Sequence, residues 1–454
     1  MRRDSASQNS PRMTQHSSTL SRLLADYGMV FVLALLCSFF SFATYTEQHP
    51  TGADAARQLA RSILDQFGKS PRVFIAVRDQ AEDAAFAAKL EAELKFAGAT
   101  VAAVVRGEPK DAREVLRSMA ASGIQLDAIA CNQPTAAWLV FSDLKTDFPA
   151  IGSPRIMQPR SYRWPDFLKR DNLLNIANQI AVIALVAIGM TMVIIAGGID
   201  LSVGSLIALS AVLTGVLIRD GFGGTAAGPL GMTVASLLAI AACGGAGALN
   251  GALITRFGLP PFIVTLAMML VASGAAFLLS HGQSVYQVPD SFVWLGRGAD
   301  LFNLPNAVVL MALLYLAAHV VMTRTVLGRH IYAVGGNRLA AQYSGVPIRR
   351  VLLATYVASG LLAGLGGVVM ASQLKSGAPA YGGMYELYVI AAVVVGGASL
   401  NGGSGRMFGT LTGTFTIAVI QNGMNLMNVE SYTQKVVLGL VILAAVLLDS
   451  LRRR

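Results

Sequence analysis

Residues 324–350, RTVLGRHIYAVGGNRLAAQYSGVPIRR, decide the fold, because this basic segment separates two long apolar runs. It carries five Arg and one His but no Asp or Glu. Cytoplasmic loops of membrane proteins are enriched in Lys and Arg, so the segment is predicted to be a cytoplasmic loop between two membrane helices. Within it, residues 337–344 begin with an N-cap type and are followed by Gly345 and Pro347. This pattern predicts a short helix outside the bilayer.

The predicted helix has glycines on both sides, and these favour sharp turns of the backbone at each end. Such a helix would project as a rigid knob, with Ala340 and Ala341 as a small-residue docking surface for a cytoplasmic motor. In the alternative interpretation the segment only connects two membrane helices. The residues predicted to couple to the motor are Gly335, Gly336, Asn337, Arg338, Ala340, Ala341, Ser344 and Gly345.

The loop resembles the coupling-helix loop of bacterial ABC importer permeases of the ribose and xylose type. Two further stretches agree with it: GGIDLSVGS at 197–205, and AYGGMYELYVIAAVVVGGASLNGGSGRMFGT at 380–410. The similarity covers the chain from about residue 167 to the C-terminus and the first apolar segment. The resemblance implies two permease copies, two ATPase subunits that hold ATP and Mg²⁺, and a periplasmic sugar-binding protein.

Composition indicates an integral membrane protein. Of the 454 residues 54% are hydrophobic and only 13% charged, with a mean hydropathy of +0.57, whereas a soluble domain has about 25% charged residues. The net charge of +10 is explained by basic tails and the loop, so it does not indicate nucleic-acid binding. Cys37, Cys131 and Cys243 have neither disulfide nor metal-site spacing.

The N-terminal part is predicted to cross the membrane once. Residues 1–25 are Ser-, Gln- and Arg-rich, which predicts a disordered cytoplasmic tail. Residues 26–46 are predicted to form the first transmembrane helix, although a signal peptide cleaved near Ala43 is an alternative. An even number of spans would place both termini on the cytoplasmic side of the membrane. The chain is predicted to lie in the inner membrane of a bacterium.

Residues 47–165 have the composition of a soluble domain. Strands RVFIAV (72–77), TVAAVV (100–105) and LDAIAC (126–131) alternate with helical runs at 81–96, at 110–121 and from Thr135. This order predicts a parallel sheet covered by helices, inserted into a polytopic α-helical membrane protein and facing the periplasm.

Residues 166–454 are predicted to form the transmembrane permease domain. With the first span, the apolar runs give about ten membrane segments. The run at 385–395 would be only about 16 Å long as a helix, against an apolar core of about 30 Å. A broken or re-entrant element is therefore predicted there.

A weak internal repeat points to the substrate path. VIIAGGIDLSVGSL (193–206) matches AVVVGGASLNGGSG (392–405), with Gly197 on Gly396. Glycine-rich breaks at equivalent positions of two repeats line the path in many transporters. Asp200 is either a candidate path residue or only a helix cap. Glu386, with Tyr381 and Tyr385, would either bind a sugar or lie at the membrane–water interface. The predicted path residues are Gly197, Gly198, Asp200, Ser202, Gly204, Glu386, Gly396 and Gly397.

Three pairs of glycines four residues apart are predicted to form helix-packing faces rather than functional sites. These are Gly247 with Gly251, Gly360 with Gly364, and Gly409 with Gly413.

The sequence favours transport and not catalysis. It has no phosphate-binding loop, no metal motif and no nucleophile elbow, so no cofactor is expected on this chain and ATP hydrolysis is assigned to a separate subunit. The predicted function is a permease subunit of an ATP-driven monosaccharide importer. An ion-coupled secondary transporter or a membrane-anchored sensor are the alternatives.

The inserted domain resembles the first lobe of a periplasmic sugar-binding protein. Ligands of open α/β sheets lie beyond the carboxyl ends of the strands, which indicates residues 78–80, with Asp79 central, and Asn132 and Gln133. Because one lobe leaves much of a sugar in water, the domain is predicted to dock or gate at the outward mouth, with low sugar affinity.

Overall fold

The computed structural model describes residues 19–68 and 70–452, which fall into two compact units. One unit contains the chain up to Thr44 and from Asp166 onward, and the other contains Tyr45–Pro165. Of the predicted tails, residues 1–18 and 453–454 lie outside the described residues.

The first helix, α1 (Thr19–Ala43), is longer than predicted at its start and shorter at its end. Residues 19–25, assigned above to a disordered tail, are helical, because TLSRLLA contains good helix formers after a polar start. Phe40 is buried and contacts the ring of Phe167 and the backbone of Gly423. The opposite face exposes an apolar stripe, as expected of a helix in lipid: Phe31, Leu35, Phe39 and Phe42.

The second unit is an α/β domain. Its elements follow in chain order: β1 (Tyr45–Gln48), α2 (Gly52–Phe67), β2 (Arg72–Val77), α3 (Ala81–Phe96), β3 (Thr100–Arg106), α4 (Pro109–Ala121), β4 (Ala128–Cys131), α5 (Gln133–Ala136), α6 (Leu144–Asp147), β5 (Arg155–Met157) and β6 (Tyr162–Pro165).

The four-stranded sheet of this unit has the order β3-β2-β4-β5, and all its strands are parallel. The central strand β2 is buried on both faces: Val73, Ile75 and Val77 belong to one core with α2 and α3, and Phe74 and Ala76 to another with α4. Alternate side chains of a strand point to opposite faces, so two covered faces require an uninterrupted apolar strand.

The helical stretch predicted from Thr135 is only a short turn in the structure. The structure has a single turn, α5, followed by a 3₁₀ turn at Leu139–Phe141. Helix α2 and strands β1, β5 and β6 were not predicted. The five buried residues of α2 are three Ala, one Leu and one Ile, and polar residues lie between them, so no continuous apolar run reveals the helix.

Strands β1 and β6 form a separate antiparallel ribbon in which the first and last residues of the unit, Tyr45 and Pro165, are register partners. In the helical unit, the amide of Asp166 donates to the carbonyl of Thr44 at 2.9 Å, and the Thr44 hydroxyl accepts from the amide of Phe167 at 3.1 Å. The chain therefore leaves the helical unit and returns to it at neighbouring points.

The helical unit continues after the insertion with twelve further α-helices among the described residues. They are α7 (Arg170–Ile195), α8 (Val203–Val216), α9 (Pro229–Phe257), α10 (Pro261–Leu279), α11 (Trp294–Arg297), α12 (Asn306–Arg324), α13 (Val326–Gly336), α14 (Arg338–Tyr343), α15 (Ile348–Leu374), α16 (Tyr385–Val395), α17 (Met407–Leu426) and α18 (Ser431–Arg452).

Six helices of the described part of the chain are long and apolar enough to cross a membrane: α7, α8 with its short extension to Gly221, α9, α10, α12 and α15. Shorter apolar helices lie at Gly28–Ala43, Tyr385–Val395 and Ser431–Ala444. The protein is thus a polytopic helical membrane protein, while the total of about ten segments stays a prediction. The short run at 385–395 forms α16 with the predicted bounds.

Helix α7 is the centre of the bundle. Every residue from Ile180 to Ile195 is buried, and α12, α15, α16 and α17 pack around it. A helix that is apolar on all sides is stable only in such a position or in lipid.

The paired glycines form packing faces, as predicted. A Cβ on Gly247 of α9 would overlap the carbonyl of Tyr356 in α15, and one on Gly360 would overlap the carbonyl of Cys243. Gly409 and Gly413 of α17 approach the backbone of α16 in the same way. Helices approach this closely only where both surfaces are small.

Gly247→Ala is therefore expected to destabilise the bundle by about 1–3 kcal/mol, because the added methyl has no space against α15. The matched control is Gly245→Ala on the same helix, where a Cβ would meet nothing within 4 Å. Thermal unfolding in detergent should separate the two variants, and equal midpoints would contradict the packing assignment.

Candidate functional site

Helix α14 lies within the basic loop, where the sequence predicts a helix. The side chain of Asn337 accepts a hydrogen bond from the amide of Ala340 at 3.0 Å, which caps its start. At its end Gly345 has a φ of 79°, and the amide of Val346 donates to the carbonyl of Ala341 at 3.0 Å. These local signals, an Asn N-cap and a glycine after the last turn, confirm the predicted short helix.

The outward face of α14 differs from the prediction. Leu339 and Tyr343 are 68% and 90% exposed, whereas Ala341 is only 5% exposed and belongs to the core. Adjacent residues of a helix point about 100° apart, which lets Ala340 be exposed while Ala341 is buried. Positions four apart, such as Leu339 and Tyr343, lie on one face. Ala341 is therefore wrong as a docking residue, and helical spacing would have revealed Leu339 and Tyr343.

Gly335 and Gly336 do not form the predicted turn, because both belong to the last turn of α13. A Cβ on Gly335 would overlap the carbonyl oxygen of Ile195 and lie 2.6 Å from the amide nitrogen of Gly403. A Cβ on Gly336 would meet nothing within 4 Å. The glycine at 335 thus permits a close approach between backbones, and it is not needed for a turn.

Three chain segments meet at this point, which we call the glycine junction: the end of α7 (Ile195 and Gly197), the end of α13 (Gly335) and the loop after α16 (Gly402 and Gly403). The amide of Gly403 donates to the carbonyl of Ile195 at 2.8 Å. A Cβ on Gly402 would lie 2.9 Å from the Gly335 oxygen and 3.1 Å from the Gly197 Cα. The glycine junction joins the helix preceding α14 directly to both predicted breaks.

The two breaks share one local structure. After α7 the amides of Gly197 and Gly198 donate to the carbonyls of Ile194 and Val193, both at 2.9 Å. After α16 the amides of Gly397 and Ala398 donate to Val394 and Val393, at 2.8 and 3.1 Å.

Both helices therefore end in the same left-handed glycine cap, with φ values of 82° at Gly197 and 88° at Gly397. The structural equivalent of Gly197 is Gly397 rather than Gly396, so the sequence match was displaced by one residue. A Cβ on Gly396 would overlap the carbonyl of Gly409, which assigns that glycine to packing.

Asp200 and Ser202 are fully buried between α7 and α8. One carboxylate oxygen of Asp200 accepts from the Ser202 amide at 3.0 Å and from its hydroxyl at 2.6 Å, and the other accepts from Ser359 of α15 at 2.8 Å. Asn250 of α9 donates to the Ser202 hydroxyl at 3.2 Å. The cluster ties the first break to two neighbouring helices and satisfies the amide of Ser202, the residue just before α8.

Asp200→Asn is expected to reduce transport at least tenfold with little loss of folded protein, because Asn caps about as well as Asp but carries no charge. Asp200→Ala is the comparison, since it leaves the hydroxyls of Ser202 and Ser359 without their acceptor and should lower the folded yield. Normal uptake by Asp200→Asn would limit the residue to a capping role.

Glu386 and Gly204 lie together, at the starts of α16 and α8. A Cβ on Gly204 would overlap the carboxylate of Glu386 and lie 2.6 Å from the carbonyl oxygen of Gly382. The hydroxyl of Tyr381 bonds to that of Ser376, and the ring of Tyr385 packs edge-on against Tyr388 at 6.3 Å. Five of the predicted path residues fall into three groups: Gly197 in the glycine junction, Asp200 with Ser202, and Gly204 with Glu386. The other three, Gly198, Gly396 and Gly397, lie at the ends of α7 and α16 outside these groups.

The α/β unit has an open cleft of about 590 Å³ at the carboxyl ends of β2 and β3. Arg78, Asp79 and Gln80 line it, as predicted from the strand order. Asn132 does not line it: its buried side chain accepts from the amide of Thr135 at 3.3 Å and caps α5. Gln133 is exposed on α5 and lies outside the lining as well.

The helical unit is similar to known membrane transport proteins. The family described as the permease component of branched-chain amino acid transport systems matches residues 172–446. The chain belongs to this permease family. It is accordingly a membrane-embedded transport component and not an enzyme, and the α/β unit lies before the matched region.

Several permeases of known substrate are similar to this chain. The ribose import permease of Escherichia coli K12 is 42% identical over 294 residues, which cover 63% of this chain and 88% of the relative. That of Bacillus subtilis strain 168 is 42% identical over 287 residues, 63% and 86% of the two chains. The D-allose permease of Escherichia coli K12 is 37% identical over 285 residues, 63% and 85%. No solved structure is detectably similar.

Proposed function

We propose that this permease is the membrane-spanning subunit of an ATP-driven ABC importer for a monosaccharide of the ribose kind. The observation that carries the proposal is the 42% identity to the ribose import permease of Escherichia coli over 88% of its length. Although the family description names branched-chain amino acids, the similar proteins given above carry sugars in their names. The substrate is accordingly assigned to the sugar class.

The proposed assembly has two permease copies, two ATPase subunits that bind ATP and Mg²⁺, and a periplasmic sugar-binding protein, in the inner membrane. The basic loop and both termini would face the cytoplasm. Leu339 and Tyr343 of α14 form the contact with the ATPase, since both expose apolar area that gains by leaving water and Tyr is enriched among the residues that dominate interface energies.

The glycine junction transmits the movement of α14 in this mechanism. Backbones in direct contact have no flexible side chains between them to absorb a displacement. A push on α14 would therefore move α13, and with it the ends of α7 and the loop after α16. Rocking of these breaks around the buried Asp200 cluster would open the path alternately to each side.

The test is uptake into proteoliposomes that contain the permease, its ATPase and its binding protein. D-ribose, D-allose and L-arabinose should enter only with ATP on the ATPase side, and leucine should not enter. Uptake driven by an ion gradient without ATP would instead support a secondary transporter. A sensor would show no uptake with either energy source.

For the α/β unit we propose a periplasmic position and a docking or gating role at the outward mouth. Its cleft is open, so a bound sugar would remain largely in water. Affinity no tighter than the millimolar range is therefore expected. Micromolar binding to the unit, measured by calorimetry on the full chain, would make it a tethered receptor instead.

A further inference from the structure

The cleft of the α/β unit contains both free and committed polar groups. Arg78 donates through Nε to the buried carboxylate of Asp83 at 2.8 Å, and Lys110 pairs with Glu108 at 3.0 Å. Asp111 accepts from the amide of Glu108 at 2.8 Å within the cap of α4. These groups hold the loops of the cleft in place.

Three lining residues have polar side chains without a hydrogen bond or ion pair in the described part of the chain: Asp79, Gln80 and Arg106. Asp79 and Gln80 follow β2, and Arg106 ends β3, the strand beside it. Together they offer an ionic donor, an ionic acceptor and an amide that does both. This combination suits hydroxyl groups, since each hydroxyl donates one hydrogen bond and accepts others.

The charges of the lining are balanced. Three cationic side chains, Arg78, Arg106 and Lys110, face three carboxylates, Asp79, Glu108 and Asp111. An anionic ligand would meet the carboxylates and a cationic ligand the basic groups, and like charges brought together lower affinity. The cleft therefore favours a neutral ligand.

The cleft also has an aromatic wall. Trp138 is half-buried in the lining, and its ring stacks on Phe141 with a centroid distance of 5.9 Å and an angle of 21°. The stacking fixes the indole, which presents apolar area together with one N–H donor. Carbon-bound hydrogens of a sugar ring pack on such a surface while its hydroxyls meet the polar groups.

We infer that this cleft is a low-affinity site for a neutral monosaccharide, held by Asp79, Gln80, Arg106 and Trp138. The choice of sugar rests on the proposed function, whereas the neutral, hydroxyl-rich character of the ligand rests on the lining alone.

The inference is tested by saturation-transfer NMR on the full chain in lipid nanodiscs with D-ribose, and with D-allose and L-arabinose as further probes. Saturable binding in the millimolar range is expected. Arg106→Ala and Asp79→Asn should each weaken it about tenfold, because the first removes a charged donor and the second replaces a charged acceptor with a neutral one. Arg61→Ala is the matched control, an exposed arginine of α2 outside this cleft, and should leave binding unchanged.

A second comparison tests the charge argument, with D-ribose 5-phosphate in place of D-ribose. The phosphate should bind no tighter than the neutral sugar. Tighter binding of the phosphate, or sugar signals that are the same in wild type, Arg106→Ala and Asp79→Asn, would overturn the inference. Sugar uptake in proteoliposomes decides the proposed function separately, since uptake without binding at the cleft removes only the inferred site.

Discussion

Replacing Gly335 with alanine is expected to abolish transport and to lower the stability of the bundle by about 3 kcal/mol or more. The new methyl would overlap the carbonyl oxygen of Ile195 and press against the amide of Gly403. Both groups belong to the backbone of packed segments, so no side chain can rotate to make room. The hydrogen bond from Gly403 to Ile195 that closes the glycine junction would be lost.

The adjacent residue supplies the control for this experiment. Gly336→Ala adds the same methyl one position along the same helix, where nothing lies within 4 Å. Alanine is the better helix former by about 1 kcal/mol, so this variant should be neutral or slightly more stable. Both variants are measured by thermal unfolding in detergent and by ribose uptake. Equal behaviour of the pair would refute the glycine junction as a transmitting contact.

Replacing Leu339 and Tyr343 together with serine is expected to reduce ATP-driven uptake at least about thirtyfold, while the protein stays folded. Anchor residues of an interface cost about 2 kcal/mol or more each when truncated. Because both side chains are largely exposed, their removal leaves no cavity in the bundle. The loss should appear as failure of the ATPase to co-purify with the permease.

Gln342→Ser is the matched control, since Gln342 is exposed on the same helix but its polar side chain offers little apolar area to the interface with the ATPase. It should retain the ATPase and the uptake rate. Wild-type uptake by the double serine variant would show that α14 only connects two membrane helices.

The parts that could be predicted are those fixed by neighbouring residues in the chain. The Asn337 cap, the Gly345 turn and the bounds of α16 depend on local sequence, and all three were found where expected. The strands RVFIAV and TVAAVV were equally clear, because a strand with two covered faces must be apolar throughout.

The parts that could not be predicted depend on contacts between distant segments. A glycine can permit either a backbone turn or a close approach between two backbones. At Gly335 only the position of the Ile195 carbonyl shows that the close approach is the reason for the glycine. The one-residue displacement of the internal repeat also depends on the fold. Gly396 and Gly397 look alike in sequence, but only Gly397 has a positive φ. The exposed face of α14 is a simpler case, because the four-residue spacing of Leu339 and Tyr343 places them on one side of a helix and is visible in the sequence.

The closure of the α/β unit by its own end strands has a consequence for how such a protein arises. Since Tyr45 and Pro165 are register partners and Thr44 is bonded to Asp166, the helical unit requires only that two neighbouring points be joined. A hairpin turn would join them as well as a whole domain does. The position between α1 and α7 is thus a point where a whole domain can be inserted, lost or exchanged in one step. A reporter domain can be inserted there without redesigning the transporter.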